Sequence, residues 1–443
     1  KYRTQAKLAV KSRSQWESTG CLFGLYERGT HNLIPIPDCA VHHPAINRAV
    51  AALEAATTAA RTEGFDEGTG GGGLRYVQLQ VDRGSGGIVL TLVWNAGTIK
   101  ACQPSLSRLV KELKRRDDGD GNGSRLWHSM WVHLNDGLGN NIFSRGDKKW
   151  HRLEGPEFGR ERLPTTSVDG DGGVTKEGLL HYTPMTFRQG NRDGFDVVAR
   201  YVARQVRAGA AVCELYAGVG VLGLTTLSAK RGDLRWLRCS DENPANERCF
   251  ERAVSSMPFE VTGRPKNSNF HKNGRRRNNN NKNNRRKNGK RRSKNEISLE
   301  DLLSGKGTIP NDADYSSSSD TPPAKPSYLT ASAASALHKG QAIGADTLIV
   351  DPPRKGLCAD VLAQLSKPFN PQQPPVDDID YLFVEKYKLN LANDVTTLIY
   401  VSCGFDALAR DCDVLLGSGG GWMIESAVGF VLFPGSNHVE TVV

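Results

Sequence analysis

The second half of the chain alternates short apolar strands with helical segments, and this alternation constrains the fold more than any other feature. Strands are predicted at 211–216, 234–240, 347–350 and 397–402, and helices at 196–207 and 222–228. Such alternation is typical of a parallel, doubly wound α/β sheet, in which ligands bind at the carboxyl ends of the strands. The residues that end or directly follow these strands are Tyr216, Asp241, Asp351 and Cys403. We therefore expect these side chains to meet at one edge of the sheet.

The first half mixes strands and helices. A helix is predicted over 44–60, because proline suits a first turn and Ile46, Val50 and Leu53 recur on one helical face. A strand is predicted over 88–94 and a second helix over 105–114. Together with the length of 443 residues, this pattern predicts an N-terminal α+β domain at 1–185 and a Rossmann-like domain at 186–443.

The positive charge of the chain is concentrated in one segment. Fourteen Lys and Arg residues, and no Asp or Glu, lie between Arg264 and Lys294. Subtracting these 14 charges from the net charge of +10 leaves −4 for the rest of the chain. We predict a disordered insertion over about 262–327, since such a composition cannot bury enough apolar surface to fold. It is either a drifting surface loop or a basic tether that raises nonspecific affinity for nucleic acid.

Two further observations exclude classes of protein. The longest apolar run, 88–94, is far shorter than the roughly 18 residues of a membrane span, which excludes an integral membrane protein. The nine cysteines form no CxxC pair, so we expect no metal or iron–sulfur cluster and a reducing, intracellular compartment. The chain begins at Lys1 rather than Met, which leaves cytoplasm and organelle open. We expect a monomer.

A glycine-rich turn follows the first strand of the second half. Gly218, Gly220 and Gly223 match GxGxxG, and the acidic Asp241 lies about 20 residues further on. Glycines let the backbone approach a ligand, and a carboxylate at the next strand end accepts hydrogen bonds from a ribose diol. NAD and S-adenosylmethionine both carry a ribose and an adenine. The glycines therefore leave both cofactors open, as well as tight strand–helix packing without a ligand.

Two later strand ends favour a methyl donor. Asp351-Pro352-Pro353-Arg354 forms a rigid rim without a free amide at either proline, which suits holding a planar base or the edge of a methyl donor and has no evident use in a dehydrogenase. The strand that ends in Ser402 is followed by Cys403. An isolated cysteine is more often a small buried hydrophobe, but beside a nucleotide pocket it is better explained as a reactive thiol.

These segments resemble the RNA 5-methyluridine methyltransferases, the uracil-C5 family that acts on tRNA and rRNA. Phe187 to Asn191 resembles the family's FxQxN, and Glu214 to Gly220 its cofactor loop. The later motifs follow in the family's order: Asp241 to Pro244 at the ribose-binding strand end, Asp351 to Leu357 as DPPRxGL, Val401 to Cys403 as the nucleophile motif, and Phe433 to Glu440 as FPxTxHVE.

The resemblance implies a class I S-adenosylmethionine-dependent methyltransferase fold and a reaction at C5 of uridine. Cys403 would add to C6 of the base, and Glu440 would remove the C5 proton, with His438 as the other candidate base. The implied cofactor-binding residues are Gln189, Tyr216, Gly218, Gly220, Asp241 and Asp351, of which Asp351 could instead hold the base. Arg354 would either lower the pKa of the Cys403 thiol or hold a uracil carbonyl. RNA, transfer or ribosomal, would be held by the N-terminal half and the 193–204 stretch.

The sequence also departs from the family. Gly404-Phe405 stands where the family has Asn-Pro after its nucleophile, and Val221 replaces a residue that is often polar. The family's N-terminal RNA-binding barrel and the clustered cysteines of some relatives are not recognisable. Two other hypotheses therefore compete: a catalytically impaired RNA-binding paralogue that still binds S-adenosylmethionine, and an NAD-dependent oxidoreductase.

Overall fold

The computed structural model describes residues 1–13, 19–117, 124–137, 141–144, 146–164, 178–230, 232–257, 326–373 and 389–443. These residues belong to one compact unit. The predicted insertion over 262–327 lies outside the described residues except for its last two. Ser327 already begins a strand, so the insertion ends earlier than predicted.

Seven strands of the first half form one sheet. They are β1 (Gln5–Ser12), β2 (Cys21–Tyr26), β3 (Leu33–Pro35), β4 (Leu74–Val81), β5 (Ile88–Trp94), β6 (Trp127–Leu134) and β7 (Trp150–Glu154). Their order is β3-β2-β1-β4-β5-β6-β7, and only the β5–β6 pair among them is parallel.

Two helices cover one face of this first sheet. They are α1 (Pro44–Ala60) and α2 (Ser105–Arg115), and the predicted helices are confirmed. Ile46, Val50 and Leu53 are fully buried against the strands, as their spacing on one helical face predicts. The predicted strand over 88–94 is β5, and all of its residues are buried.

A short antiparallel pair, β8 (Gly159–Arg162) and β9 (Leu179–Tyr182), precedes the second sheet. The second sheet consists of β10 (Ala211–Leu215), β11 (Trp236–Asp241), β12 (Ser327–Thr330), β13 (Thr347–Val350), β14 (Thr397–Ser402), β15 (Val428–Phe430) and β16 (Glu440–Val442). The order is β12-β11-β10-β13-β14-β16-β15. The first five strands are parallel, as predicted, whereas β16 is antiparallel to both of its neighbours.

Among the described residues, six helices flank the second sheet. They are α3 (Arg192–Gln205), α4 (Val221–Ala229), α5 (Pro244–Ser255), α6 (Ala333–His338), α7 (Ala359–Leu365) and α8 (Phe405–Gly417). The strands are buried on both faces: Val212 of β10 packs into one apolar cluster and the next residue, Cys213, into the other. This alternation confirms the doubly wound architecture.

Helix α3 begins four residues before the predicted start at 196. The Asn191 side chain accepts a hydrogen bond from the Gly194 amide at 3.0 Å, and this N-cap allows the helix to begin at Arg192. The predicted strand over 234–240 begins at Trp236 and ends at Asp241. The domain boundary at 185/186 stays a prediction.

Candidate functional site

The pairing of the parallel strands brings three of the predicted site residues to one edge. Leu215 of β10 pairs with Ser240 of β11 on one side and with Val350 of β13 on the other. The residues that follow them are Tyr216, Asp241 and Asp351. They therefore lie side by side at the carboxyl edge of the sheet, where ligands bind in this architecture.

Cys403 and Glu440 lie beside each other at the same edge. Ser402 of β14 pairs with Thr441 of the antiparallel β16. Cys403 directly follows Ser402 and Glu440 directly precedes Thr441, so both lie at the same end of this strand pair. Glu440 is only 7 % exposed, and burial raises its pKa to about 7, against an opposing effect of Arg354. A carboxyl group with such a pKa exchanges protons near neutral pH.

The charges around the thiol disfavour its ionised form. Burial, Glu440 and Asp351 raise the pKa of Cys403, whereas the Arg354 guanidinium beside it acts in the opposite direction. Arg354 thus acts on this pKa in the expected direction, but two carboxyl groups and burial outweigh the single guanidinium. Asp351 itself has a pKa well above its ordinary value, owing to burial and to Glu440.

The three glycines of the loop have different surroundings. A Cβ atom on Gly218 would meet no atom within 4 Å, so this glycine faces open space at the sheet edge. A Cβ atom on Gly220 would lie 2.6 Å from the Phe250 ring, and one on Gly223 would lie 2.5 Å from Glu214 Oε2. Only the first glycine is therefore suited to a close approach by a ligand, whereas the other two serve packing.

Asp241 is tied to the glycine loop. Its carboxylate accepts hydrogen bonds from the Gly218 amide at 3.1 Å and from the Asn243 amide at 2.9 Å. The carboxylate is thus fixed beside the open side of Gly218, with part of its surface accessible. This arrangement fits the hydroxyl groups of a ribose.

Tyr216 adopts a left-handed backbone conformation, with φ of 57°. Such a conformation costs a residue other than glycine about 1–3 kcal/mol and is often found at functional sites. The Tyr216 hydroxyl accepts a hydrogen bond from the Cys358 amide at 3.4 Å, which joins the glycine loop to the segment after the DPPR motif.

Two residues that support the loop were missed in the sequence. Glu214 is buried, accepts a hydrogen bond from the Gly223 amide at 2.9 Å, and has a pKa raised to about 7 by burial. The Tyr328 hydroxyl donates to the Gly218 carbonyl at 2.5 Å. Glu214 lies within the cofactor-loop motif. Tyr328 lies more than a hundred residues from that loop in the sequence, and no motif marks it.

A buried ion-pair network anchors the loop that carries Gln189. Arg188 donates to Glu161 and, at 2.9 Å, to the Val81 carbonyl of the first sheet. Glu161 also pairs with Arg192 at 2.9 Å, and Arg192 pairs with Asp196 at 3.0 Å. Arg192 and Glu161 are each 1 % exposed. The backbone on both sides of Gln189 is therefore held by contacts with the first half of the chain.

The remaining candidates lie on exposed loops. Arg354 and His438 are exposed, and His438 comes two residues before Glu440. Gly404 explains the departure from the family's Asn-Pro, since a Cβ atom there would lie 2.4 Å from the Arg354 carbonyl oxygen. A glycine is what allows these two loops to approach so closely.

The described residues contain no group of three or more His, Cys, Asp and Glu side chains that could hold a metal ion. In the same part of the chain, no helix is long and apolar enough to cross a membrane.

Comparison with known proteins gives relatives that carry the name RNA methyltransferase. No protein-family model matches the chain. An uncharacterized RNA methyltransferase of Protochlamydia amoebophila is 28% identical over 440 residues, which cover 99% of this chain and 84% of that protein. One of Gloeobacter violaceus is 28% identical over 237 residues, which cover 52% of this chain and 44% of that protein. The predicted resemblance to RNA methyltransferases is confirmed.

A solved structure shares the fold. The tRNA (uracil-54, C5)-methyltransferase of Pyrococcus abyssi, in complex with S-adenosyl-L-homocysteine, matches with a TM-score of 0.58 and 18% identity. The match covers 100% of this chain and 75% of that protein. The predicted Rossmann-like methyltransferase fold is confirmed.

Proposed function

We propose that this chain, a relative of RNA methyltransferases, transfers a methyl group from S-adenosylmethionine to C5 of a uridine in RNA. The observation that carries the proposal is the position of Cys403 and Glu440 at the same end of the paired strands β14 and β16, where Ser402 pairs with Thr441, at the sheet edge that also carries the glycine loop. Methylation of a uracil at C5 requires one nucleophile and one base at the same place. A thiol and a carboxyl group with a pKa of about 7 meet that requirement.

The residues at the sheet edge fit the cofactor. S-adenosylmethionine supplies an electrophilic methyl group on a sulfonium. Gly218 would let the cofactor approach the backbone closely, Asp241 would accept hydrogen bonds from the ribose, and Tyr216, Gln189 and Asp351 would complete the pocket. The open space at Gly218 beside the fixed carboxylate supports this assignment. Gly220, predicted as a cofactor contact, instead packs against Phe250.

Cys403 would act first. Its thiolate adds to C6 of the uracil, which interrupts the conjugation of the ring and gives C5 the carbanion character that methyl transfer requires. The thiol must lose its proton for this step. Arg354 is the cation beside it, and its charge stabilises the thiolate against the two carboxyl groups.

Glu440 would act second. Its carboxylate removes the proton from C5, and elimination then expels Cys403 and restores the ring. Between the two candidate bases, Glu440 is favoured because it is buried beside Cys403, whereas His438 is exposed on the preceding loop.

The substrate would be an RNA whose target uridine can leave its stack. The reacting carbon of a stacked base is inaccessible, so the base must be extruded at a cost of roughly a few kcal/mol. Extrusion of a uridine from a loop costs less stacking and pairing energy than extrusion of a paired one, which favours an unpaired uridine of tRNA or rRNA.

The test uses RNA from cells that lack the protein, with methyl-labelled S-adenosylmethionine. Cys403→Ala should abolish methyl transfer, and Glu440→Gln should accumulate an RNA–protein adduct that survives a denaturing gel. The matched control is Cys412→Ala, a half-buried thiol on α8, which should keep full activity. Full turnover by Cys403→Ala would rule out the mechanism.

The raised pKa of Cys403 favours a second candidate, an RNA-binding relative with impaired catalysis that still binds S-adenosylmethionine. Calorimetry with this cofactor and with NADH, together with tritium release from RNA labelled at C5 of uridine, separates the candidates. Binding of S-adenosylmethionine without tritium release would favour the impaired protein, and binding of NADH alone would favour an oxidoreductase.

A further inference from the structure

An exposed aromatic residue follows the proposed nucleophile closely in the chain. Phe405 is the first residue of α8, two positions after Cys403, and its side chain is 66 % exposed. Phenylalanine belongs to the residue types that are most often fully buried. Its exposure so close to Cys403 in the chain, where relatives in the resembled family carry proline, leaves the ring available to contact a substrate.

The backbone around Phe405 is held in place by the neighbouring loop. Gly404 packs so closely on the Arg354 carbonyl that no Cβ atom fits, and its amide donates a hydrogen bond to the Ser402 hydroxyl oxygen at 3.1 Å. The ring is therefore attached to a fixed turn that packs on the backbone of Arg354, a residue that is exposed. Aromatic faces together with cations are the combination with which proteins bind single-stranded nucleic acid.

We propose that Phe405 stacks on an unpaired nucleobase of the RNA, adjacent to the uridine that Cys403 attacks. This inference rests on the proposed function and names one contact of its substrate. A base that is extruded leaves its neighbour in the strand without a stacking partner, and the Phe405 ring replaces that partner. The exposed carboxylate of Asp406, the next residue, disfavours a phosphate at this point and so favours the face of a base.

The test compares the Michaelis constants of variants on an RNA that the wild-type protein methylates. Stacking of one base on an aromatic side chain corresponds to roughly 5- to 150-fold in affinity. Phe405→Ala should raise the KM for RNA by that factor, with the kcat at saturating RNA and the affinity for S-adenosylmethionine unchanged. Phe405→Trp should keep the KM of the wild-type protein, because tryptophan also offers a flat aromatic face.

The matched control is Phe369→Ala, which removes a ring that is 64 % exposed in the loop after α7. It should leave the KM for RNA unchanged. An unchanged KM in Phe405→Ala would overturn the inference, and so would full rescue by Phe405→Leu or a loss of folding in the alanine variant. If the wild-type protein methylates no RNA, it is instead the proposed function that fails.

Discussion

At the scale of single residues, the ionisation of each acidic group in the site depends on the charges of its neighbours. Cys403, Glu440 and Asp351 are close enough that each carboxyl group disfavours ionisation of its neighbour, and burial acts in the same direction on all three. Arg354 is the cation that opposes this effect at both Cys403 and Glu440. The thiolate therefore depends on a guanidinium that is itself exposed to solvent.

This competition predicts opposite shifts in the reactivity of Cys403. Arg354→Met should move the midpoint of its alkylation by iodoacetamide to higher pH, since the thiolate loses its cation. Glu440→Gln should move the midpoint to lower pH, since a negative neighbour is removed. The measurement is mass spectrometry of the Cys403 peptide after alkylation at a series of pH values.

The neighbouring Lys355→Met serves as the control and should leave the midpoint in place, because Lys355 is not among the groups that shift this pKa. Equal midpoints in Arg354→Met and Glu440→Gln would contradict the charge argument.

The sequence predicts which strand-end residues meet, because the ends of parallel strands share one edge whatever the loops do. It does not predict the direction in which the pKa of Cys403 shifts. That direction depends on how close to the thiol two carboxyl groups lie, and both come from distant segments of the chain. For the same reason Tyr328 was missed: its hydrogen bond with Gly218 forms across 110 positions of the chain.

At the scale of elements, apolar periodicity predicted helices α1, α2 and α4 and strand β5, whereas no prediction covered helices α5 and α8 or the buried strands β4 and β6. It also failed where elements are short or begin with a polar cap. Helix α3 begins at a cap made by the Asn191 side chain. Strands β15 and β16 have only three residues each, too few for a periodic pattern, and one of them carries Glu440.

The packing of α4 on the sheet predicts the effect of a single methyl group. Gly223→Ala would place a Cβ atom 2.5 Å from Glu214 Oε2 and 2.9 Å from Leu237 Cδ1. We expect a loss of about 1–3 kcal/mol in the free energy of unfolding, the usual cost of overpacking a core. Urea denaturation followed by circular dichroism measures this loss.

Gly417→Ala is the control for this substitution. Gly417 is the last residue of α8, and a Cβ atom there would meet no atom within 4 Å. Alanine should therefore be neutral or slightly stabilising at that position. If both variants unfold at the same urea concentration, the packing argument is wrong.

At the scale of the whole molecule, the charge is divided between one basic segment and a slightly acidic remainder. Residues 264–294 carry 14 positive charges, and the rest of the chain has a net charge of −4. Electrostatic attraction to RNA should therefore come from this segment, whereas the proposed methyl transfer takes place at the carboxyl edge of the second sheet.

Deleting 264–294 should weaken the affinity for RNA and flatten its dependence on salt, while methyl transfer at saturating RNA stays near the wild-type rate. Binding isotherms at several salt concentrations measure both quantities. Replacing the 14 basic residues by glutamine keeps the length and serves as the matched variant. If the salt dependence of RNA binding is unchanged in both variants, the segment is a surface loop without a role in RNA binding.

The buried network of Glu161, Arg188 and Arg192 restricts where related proteins can be recombined into chimeras. A chimera with its crossover between positions 161 and 188 would take the carboxylate from one parent and the guanidinium groups from the other. If the parents differ at these positions, the hybrid buries an unpaired charge, a defect that costs about 3–5 kcal/mol. New RNA targets are therefore more readily recruited by crossovers that keep these three residues from a single parent.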